Sequence, residues 1–321
     1  MADEENADHS GTDAEGAVAM TPDQHLPAID VALVDALVQD QFPQWAELPI
    51  SPVLDQGWDN RTFRLGEYLS VRMPSAAAYA AQVHKEQQWL PFLASQLDAA
   101  IPRPVGFGVP GRGYPWSWSI HQWIAGERAS SRALSRSVSF AQAAATFLRA
   151  LRNVPRKNGP TPGEHNFQRG GPLRFCDAEF REAAVLLQGG FDARLLQQAW
   201  ADAVDSIWHF EPVWIHGDFA PSNLIVNDAG ALAGIIDFGQ TGIGDPACDL
   251  AIAWSYFREP ARTSFLECAG LDRETCLRGR AWALWKAAIV ESGLCTTTDS
   301  ESRVAAHTLL EIESEVKTER P

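Results

Sequence analysis

A chain of 321 residues, 45% of them apolar, can bury a core large enough for two lobes. No apolar run reaches the roughly 20 residues that a membrane-crossing helix needs. The amino terminus also lacks a basic segment followed by an apolar block, so neither a span nor a secretory signal is expected. A net charge of -15 argues against nucleic acid and anionic membrane surfaces as partners. Six of the acids fall within residues 1–20, which hold no Lys or Arg, and residues 1–25 read as a disordered acidic tail. Five cysteines without a CxxC pair point to reduced thiols in a cytoplasmic protein.

Apolar residues at Val31, Val34, Leu37 and Val38 predict a helix over Asp30 to Gln41, stopped by Pro43. Strand-like runs follow at Leu48 to Leu54, Arg61 to Leu65 and Tyr68 to Met73, the last two joined by a tight turn at Gly66-Glu67. Ala76 to Leu97 reads as an amphipathic helix, Ile101 to Pro115 as a Pro/Gly-rich connection, and Trp116 to Ile124 as a further strand. This order suits a small antiparallel sheet with one helix on it. After Gly126 the pattern turns helical: Phe140 to Leu151, Asp177 to Gln188 with a C-cap at Gly189-Gly190, and Asp192 to His209. A β-rich stretch from Val213 to Phe238 interrupts, and further helices run from Pro246, around Ala281 to Glu291, and to the end.

The strongest signal is His216-Gly217-Asp218-Phe219-Ala220-Pro221-Ser222-Asn223, then an apolar strand, a turn at Asn227 to Gly230, and a second strand ending in Ile236-Asp237-Phe238-Gly239. Hairpin pairing sets the start of one strand beside the end of the other. Asn223 and Asp237 therefore converge, with Asp218 close by. Phosphoryl transfer needs that chemistry: hard oxygen ligands for Mg2+ and a carboxylate that orients the attacking hydroxyl.

These motifs, followed by Gly244-Asp245-Pro246-Ala247-Cys248-Asp249-Leu250-Ala251, resemble the aminoglycoside-phosphotransferase family, whose catalytic region reads HGDxxxxN, IDFG, GDPxxDLA. The resemblance implies an α+β, bilobal protein-kinase-like fold: an N-lobe over residues 26–122, a hinge at 123–127 and a helical C-lobe over 128–321. It implies Asp218 as the catalytic aspartate and Asn223 and Asp237 as metal ligands. His216 has two readings, a brace for the catalytic loop or a general base. Asp245-Pro246 independently reads as a helix start, Asp capping and Pro in the first position; Asp249, one turn in, can brace the catalytic loop.

The kinase-like pattern asks for a basic residue on the third strand paired with a Glu on the following helix, and Arg72 and Glu86 stand there. Lys is usual at the strand position. Arg keeps the charge and can hold carboxylate and phosphate oxygens bidentately, and some macrolide-type members similarly carry Arg. There is no GxGxxG between the first strands; the turn Asp55-Gln56-Gly57-Trp58-Asp59-Asn60 stands in its place. Gln122 C=O and Ile124 N–H match the hinge groups that bind the adenine edge. The resemblance thus implies ATP or GTP with Mg2+, and a small hydroxyl-bearing acceptor, an aminoglycoside or macrolide. A choline- or homoserine-kinase-type enzyme and a nucleotide-binding pseudokinase are the alternatives. Twelve tryptophans, among them Trp254, Trp282 and Trp285, read as core packing or as a wall for a bulky acceptor. Asp177, Glu179, Glu182, Asp202 and Asp205 can line a cation site or a solvated helix face.

Overall fold

A computed structural model describes residues 28–54, 57, 59–129, 131–187 and 190–319. The expected acidic tail at 1–25, most of the turn at Asp55 to Trp58 and part of the Gly189-Gly190 cap lie outside the described residues. The first helix, α1 (Val31–Gln41), is capped by Asp30, whose carboxylate accepts the Leu33 N–H at 2.9 Å. It lies on a five-stranded antiparallel sheet made of β1 (Ile50–Pro52), β2 (Asn60–Leu65), β3 (Leu69–Pro74), β4 (Pro104–Gly108) and β5 (Trp118–Gln122), in the order β1-β2-β3-β5-β4.

The period of two along each strand divides this sheet into two faces. Phe63, Leu65, Val71, Met73, Trp118 and Ile120 form one hydrophobic cluster with Val34, Leu37 and Val38 of α1. On the other face Arg72 stands in register with Thr62 and Ser119, turned toward α2 (Ala77–Ala94). The connection expected at Ile101 to Pro115 contains β4. Its Pro104 and glycines hide it from a propensity reading, but β4 is an edge strand, where a missing N–H is tolerated. The β2–β3 connection has three residues instead of two: Leu65 pairs with Leu69, and Gly66 adopts φ +60.

After β5 the chain passes through 123–126 to β6 (Glu127–Arg128), which pairs with β8 (Leu224–Val226) of the later hairpin β8–β9 (Leu232–Ile235). A second pair joins β7 (Val213–Ile215) to β10 (Gly242–Gly244). Around these short ribbons pack α3 (Val138–Asn153), α4 (Asp177–Leu186), α5 (Ala193–Ala201), α6 (Ile252–Ser255), α7 (Ala261–Ala269), α8 (Arg273–Glu291) and α9 (Asp299–Thr318). Their apolar faces make a second, larger cluster that takes in Trp254, Trp282 and Trp285, so these tryptophans pack the core. Among the described residues no helix is long and apolar enough to cross a membrane, and all five cysteines are free thiols.

Two helix expectations need correction. The run from Asp192 to His209 is helical only to Ala201. The helix expected from Ala281 begins eight residues earlier, at Arg273, where Asp272 caps it by accepting the Thr275 N–H at 2.9 Å. Arg278 and Arg280 break the apolar period in sequence, yet both are buried. Arg278 Nε donates to Asp245 Oδ2 at 2.7 Å, with Nη1 on Ser206 Oγ at 2.8 Å. Asp245 in turn caps the 3-10 helix Pro246–Ala251 through the Ala247 N–H at 3.0 Å.

Removing one partner of a buried ion pair leaves the other charge stranded, at a cost of about 3–5 kcal/mol. Asp245→Ala is therefore expected to lose that much stability in urea unfolding. A loss below about 1 kcal/mol would place the Arg278 charge in solvent instead.

Candidate active site

Strand β7 delivers the chain into His216-Gly217-Asp218, and the backbone there is held from behind. The His216 and Gly217 N–H groups donate to the two oxygens of buried Asp249, each at 2.8 Å. Asp249 thus grips the loop as expected from its place one turn into the helix. Gly217 has φ +86, and a Cβ on it would meet the Gln240 carbonyl oxygen at 2.3 Å, so no side chain fits. His216 Nε2 bonds the Ile236 carbonyl at 3.0 Å, and its Nδ1 accepts the Asp218 N–H at 3.3 Å. That pairing puts the ring proton on Nε2 and spends both nitrogens on backbone, which favours the brace over the general base.

Asp218 is half-buried. Asn223 Nδ2 donates to its Oδ2 at 3.1 Å and to its backbone oxygen at 2.8 Å, which leaves the Asn223 side-chain oxygen turned to other partners. The hairpin does what pairing predicted: Leu224 stands opposite Ile235, and the Ile236 N–H donates to the Asn223 carbonyl at 2.9 Å. Asp237 follows at φ +68, a left-handed conformation that costs a non-glycine residue about 1–2 kcal/mol. The neighbouring Phe238 is fully buried and fixes that turn.

Arg72 joins this centre to the sheet. Its Nη1 meets Glu86 Oε1 at 3.1 Å, the expected pair, and its Nη2 meets Asp237 Oδ1 at 3.0 Å. Burial opposes the guanidinium charge, but Glu86 and Asp237 outweigh it and raise the pKa of Arg72. Burial raises the Glu86 carboxyl, with Arg72 pulling the other way. Gln122 closes β5 and Ile124 lies in the segment that follows. Among the described residues neither side chain bonds Arg72, Asp218 or Asp237. A cavity of about 430 Å³ opens beside Gln122 and Ile124, lined also by Leu97, Ala100 and Ala233, and the Arg72 cluster does not border it.

Two residues of the site escape a motif reading. Asp59, just before β2, accepts from Gln82 Nε2 at 3.2 Å. Burial and the nearby Asp237 push the Asp59 carboxyl up to about 7, against the Gln82 hydrogen bond. The sequence signals are faint: Asp59 lies in the turn that stands in place of a GxGxxG, and Gln82 lies one turn before Glu86 on α2.

Among the described residues no three His, Cys, Asp or Glu side chains form a ready-made metal cage. Mg2+ needs no such cage, since it takes one or two carboxylates and fills its octahedron with phosphate oxygens and water. The donor set fits: an Asn223 oxygen whose amide nitrogen is committed elsewhere, an Asp237 carboxylate, and a buried Gln82 Oε1 without a partner.

The phosphotransferase enzyme family (APH) matches residues 52–283. An aminoglycoside 3'-phosphotransferase of Escherichia coli is 36% identical over 124 residues, which span 36% of this chain and 43% of that protein. This chain therefore matches less than half the length of that curated relative. The GDP and kanamycin complex of APH(2")-IIia superposes with a TM-score of 0.67 at 19% identity, over 90% of this chain and 99% of that one. Macrolide 2'-phosphotransferase type I gives 0.58 at 20% identity, over 90% and 99%. At such identities the structures establish the α+β, bilobal protein-kinase-like fold. With the family matched across most of its length, the chain belongs to the phosphotransferase enzyme family.

Proposed function

We propose that the chain is a small-molecule kinase moving the γ-phosphate of ATP or GTP onto a hydroxyl of an antibiotic-like acceptor, an aminoglycoside or macrolide. In the cytoplasm that reaction would inactivate the drug and confer resistance. The observation that carries the reading is the convergence of Asp218, Asn223 and Asp237, held to the sheet through Arg72 and Glu86. Support also comes from relatives: the similar structures include a kanamycin complex and a macrolide 2'-phosphotransferase.

In this reading residues 26–122 bind the nucleotide and 123–127 form the hinge, with Gln122 C=O and Ile124 N–H against the base edge. The acceptor lies on 128–321. Asp218 orients the acceptor hydroxyl and takes its proton as the oxygen attacks the γ-phosphorus. The bond to the β–γ bridging oxygen breaks, leaving a phosphomonoester and a nucleoside diphosphate. Arg72 holds phosphate oxygens. A Mg2+ ion held by Asn223 and Asp237 would supply charge neutralisation on the phosphates. The tie of Asn223 to Asp218 keeps the carboxylate aimed, so positioning and electrostatics carry most of the rate.

Arg in place of the usual Lys at position 72 is what a pseudokinase reading would stand on. Arg72 nonetheless meets both Glu86 and Asp237, which weighs against it. Three of the acids that can line a cation site are already paired. Asp177 pairs with Arg181 and accepts from Trp200 Nε1, Asp205 pairs with Arg174, and Glu179 accepts from Trp285 Nε1.

Nucleotide turnover with Mg2+ against aminoglycosides, macrolides, choline and homoserine tests this function. One acceptor should stimulate turnover, and Asp218→Ala should reduce it about 10²–10⁴-fold, the usual contribution of a positioned base. Stimulation that survives intact in Asp218→Ala would refute the assignment, and turnover with choline alone would move the acceptor to the metabolite class. Arg72→Ala removes a charged donor worth about 1.5–3 kcal/mol and should weaken nucleotide binding about 10–100-fold. Calorimetry showing unchanged nucleotide affinity would exclude Arg72 from the phosphate site.

A further inference from the structure

Residues 160–171, between α3 and α4, are tied down along their length. The Ile243 and Asp245 N–H groups donate to the Pro160 and Gly170 carbonyls, each at 2.8 Å. Asn166 is fully buried, where its Oδ1 accepts the Gly163 N–H at 3.0 Å and its Nδ2 donates to the Arg169 carbonyl at 3.1 Å. From α2, Lys85 Nζ donates to the His165 carbonyl at 3.3 Å and lies 2.9 Å from Nδ1 of the same residue. This frame holds two successive non-glycine residues, Phe167 at φ +52 and Gln168 at φ +59, in the left-handed region. Such strain persists only where the surrounding structure imposes it, and it gathers at functional sites.

What the frame presents is Arg169. Its guanidinium lies over the rings of Trp282 and Trp285, 4.9 and 5.0 Å from their centres, and its Nε donates to Gln240 Oε1 at 3.3 Å. Gln240 in turn touches the catalytic loop: its carbonyl oxygen is what a Cβ on Gly217 would strike, one residue before Asp218. Arg72, Arg262, Arg278 and Arg280 each meet a carboxylate, whereas among the described residues Arg169 has no ion-pair partner. Glu179 acts together with Arg169 on the Cys176 thiol, but its Oε2 is given to Trp285 Nε1 at 2.9 Å. The Phe167 ring, 45% exposed, stands 6.4 Å from that of Tyr79. Tyr79 feels the charge of Asp59, and Asp59 that of Asp218 and Asp237, so this aromatic pair lies on the cleft side of the segment.

We propose that Arg169 is an acceptor-binding residue that selects an oxygen-rich, largely apolar acceptor of macrolide type over a polycationic aminoglycoside. The proposal rests on the kinase reading and narrows its acceptor. Arg169 donates its terminal N–H groups to ester, ether or hydroxyl oxygens of the acceptor, while the two indole faces and Gln240 fix the plane of the fork. Phe167 and Tyr79 cover apolar parts of the same ring. An aminoglycoside would bring several ammonium groups against a guanidinium that no paired carboxylate offsets, half-buried where charge is weakly screened. Asp218 and Asp237 do not restore the balance. One receives the acceptor hydroxyl, and the other faces Arg72 and, in this reading, the metal.

Phosphorylation of erythromycin and of kanamycin by the full chain tests this, with acceptor and nucleotide KM measured separately. The wild-type chain should favour erythromycin about 10-fold or more in kcat/KM, since like charges set against each other cost at least that much. Arg169→Gln should raise the erythromycin KM about 10–100-fold, the usual effect of losing a hydrogen bond to a charged group, and leave the nucleotide KM unchanged. Arg169→Lys keeps the charge without the fork and should recover part of that loss. Gln240→Glu sets a carboxylate against Arg169 and should narrow the preference over kanamycin, even where Arg169→Gln fails to fold. Preference for kanamycin in the wild-type chain, or an unchanged erythromycin KM in Arg169→Gln, overturns the proposal and leaves the kinase reading intact. So does a parallel rise in acceptor and nucleotide KM, which marks a structural brace. Turnover of neither drug overturns it as well, and if the chain also binds no nucleotide the kinase reading falls with it.

Discussion

The site depends on one guanidinium. Arg72 stands on the central strand of the small sheet, and its two terminal nitrogens reach Glu86 of α2 and Asp237 of the β8–β9 hairpin. These three residues come from elements of both hydrophobic clusters, so the contact fixes the sheet, the helix and the metal-type carboxylate to one another. At a side-chain exposure of 11%, Arg72 is shielded enough that its charge is weakly screened. A buried cation also needs its partners, since losing either leaves charge uncompensated. The pairing is therefore more exacting than a surface ion pair, which is worth about 0–1 kcal/mol.

What was legible in the sequence follows from distance along the chain. Asp218, Asn223 and Asp237 lie on one loop and one hairpin, and short-range pairing alone brings them together, as found. Arg72 and Glu86 are 14 positions apart on adjacent elements, and the order strand–helix was enough to pair them. The contact between Arg72 and Asp237 spans 165 positions, and no local pattern contains it. Asp59 and Gln82 were missed for the same reason: each looks like an ordinary polar residue until tertiary packing sets both beside Asp237. The errors in the fold also have local causes. Strand β4 carries Pro104 and two glycines, and α8 buries Arg278 and Arg280, whose charges erase the apolar period.

Behind the catalytic loop a second layer of buried charge does the bracing. Asp249 accepts the two N–H groups that precede Asp218, and Asp245 caps the same short helix while holding Arg278 of α8. Neither aspartate faces the cleft, so their motif serves geometry and not chemistry. His216 belongs to this layer, since its ring ties the loop to the Ile236 carbonyl beside Asp237. Loop and hairpin are thus set relative to each other by protein groups alone, which is what electrostatic catalysis requires of its dipoles.

Arginine in place of lysine at position 72 then follows from the number of partners. A lysine ammonium is a compact point charge, whereas a guanidinium carries five N–H donors in a planar fork. Arg72 spends one nitrogen on Glu86 and another on Asp237, in two directions that a fork satisfies together. Its remaining N–H groups stay available for phosphate oxygens without releasing either carboxylate, as the proposed kinase reaction needs. The residue therefore suits a site in which the cation on the sheet orders Asp237 and, in the proposed reaction, also receives the nucleotide. The orphaned Gln82 oxygen and the strained Asp237 backbone lie along the same short path from α2 to the hairpin.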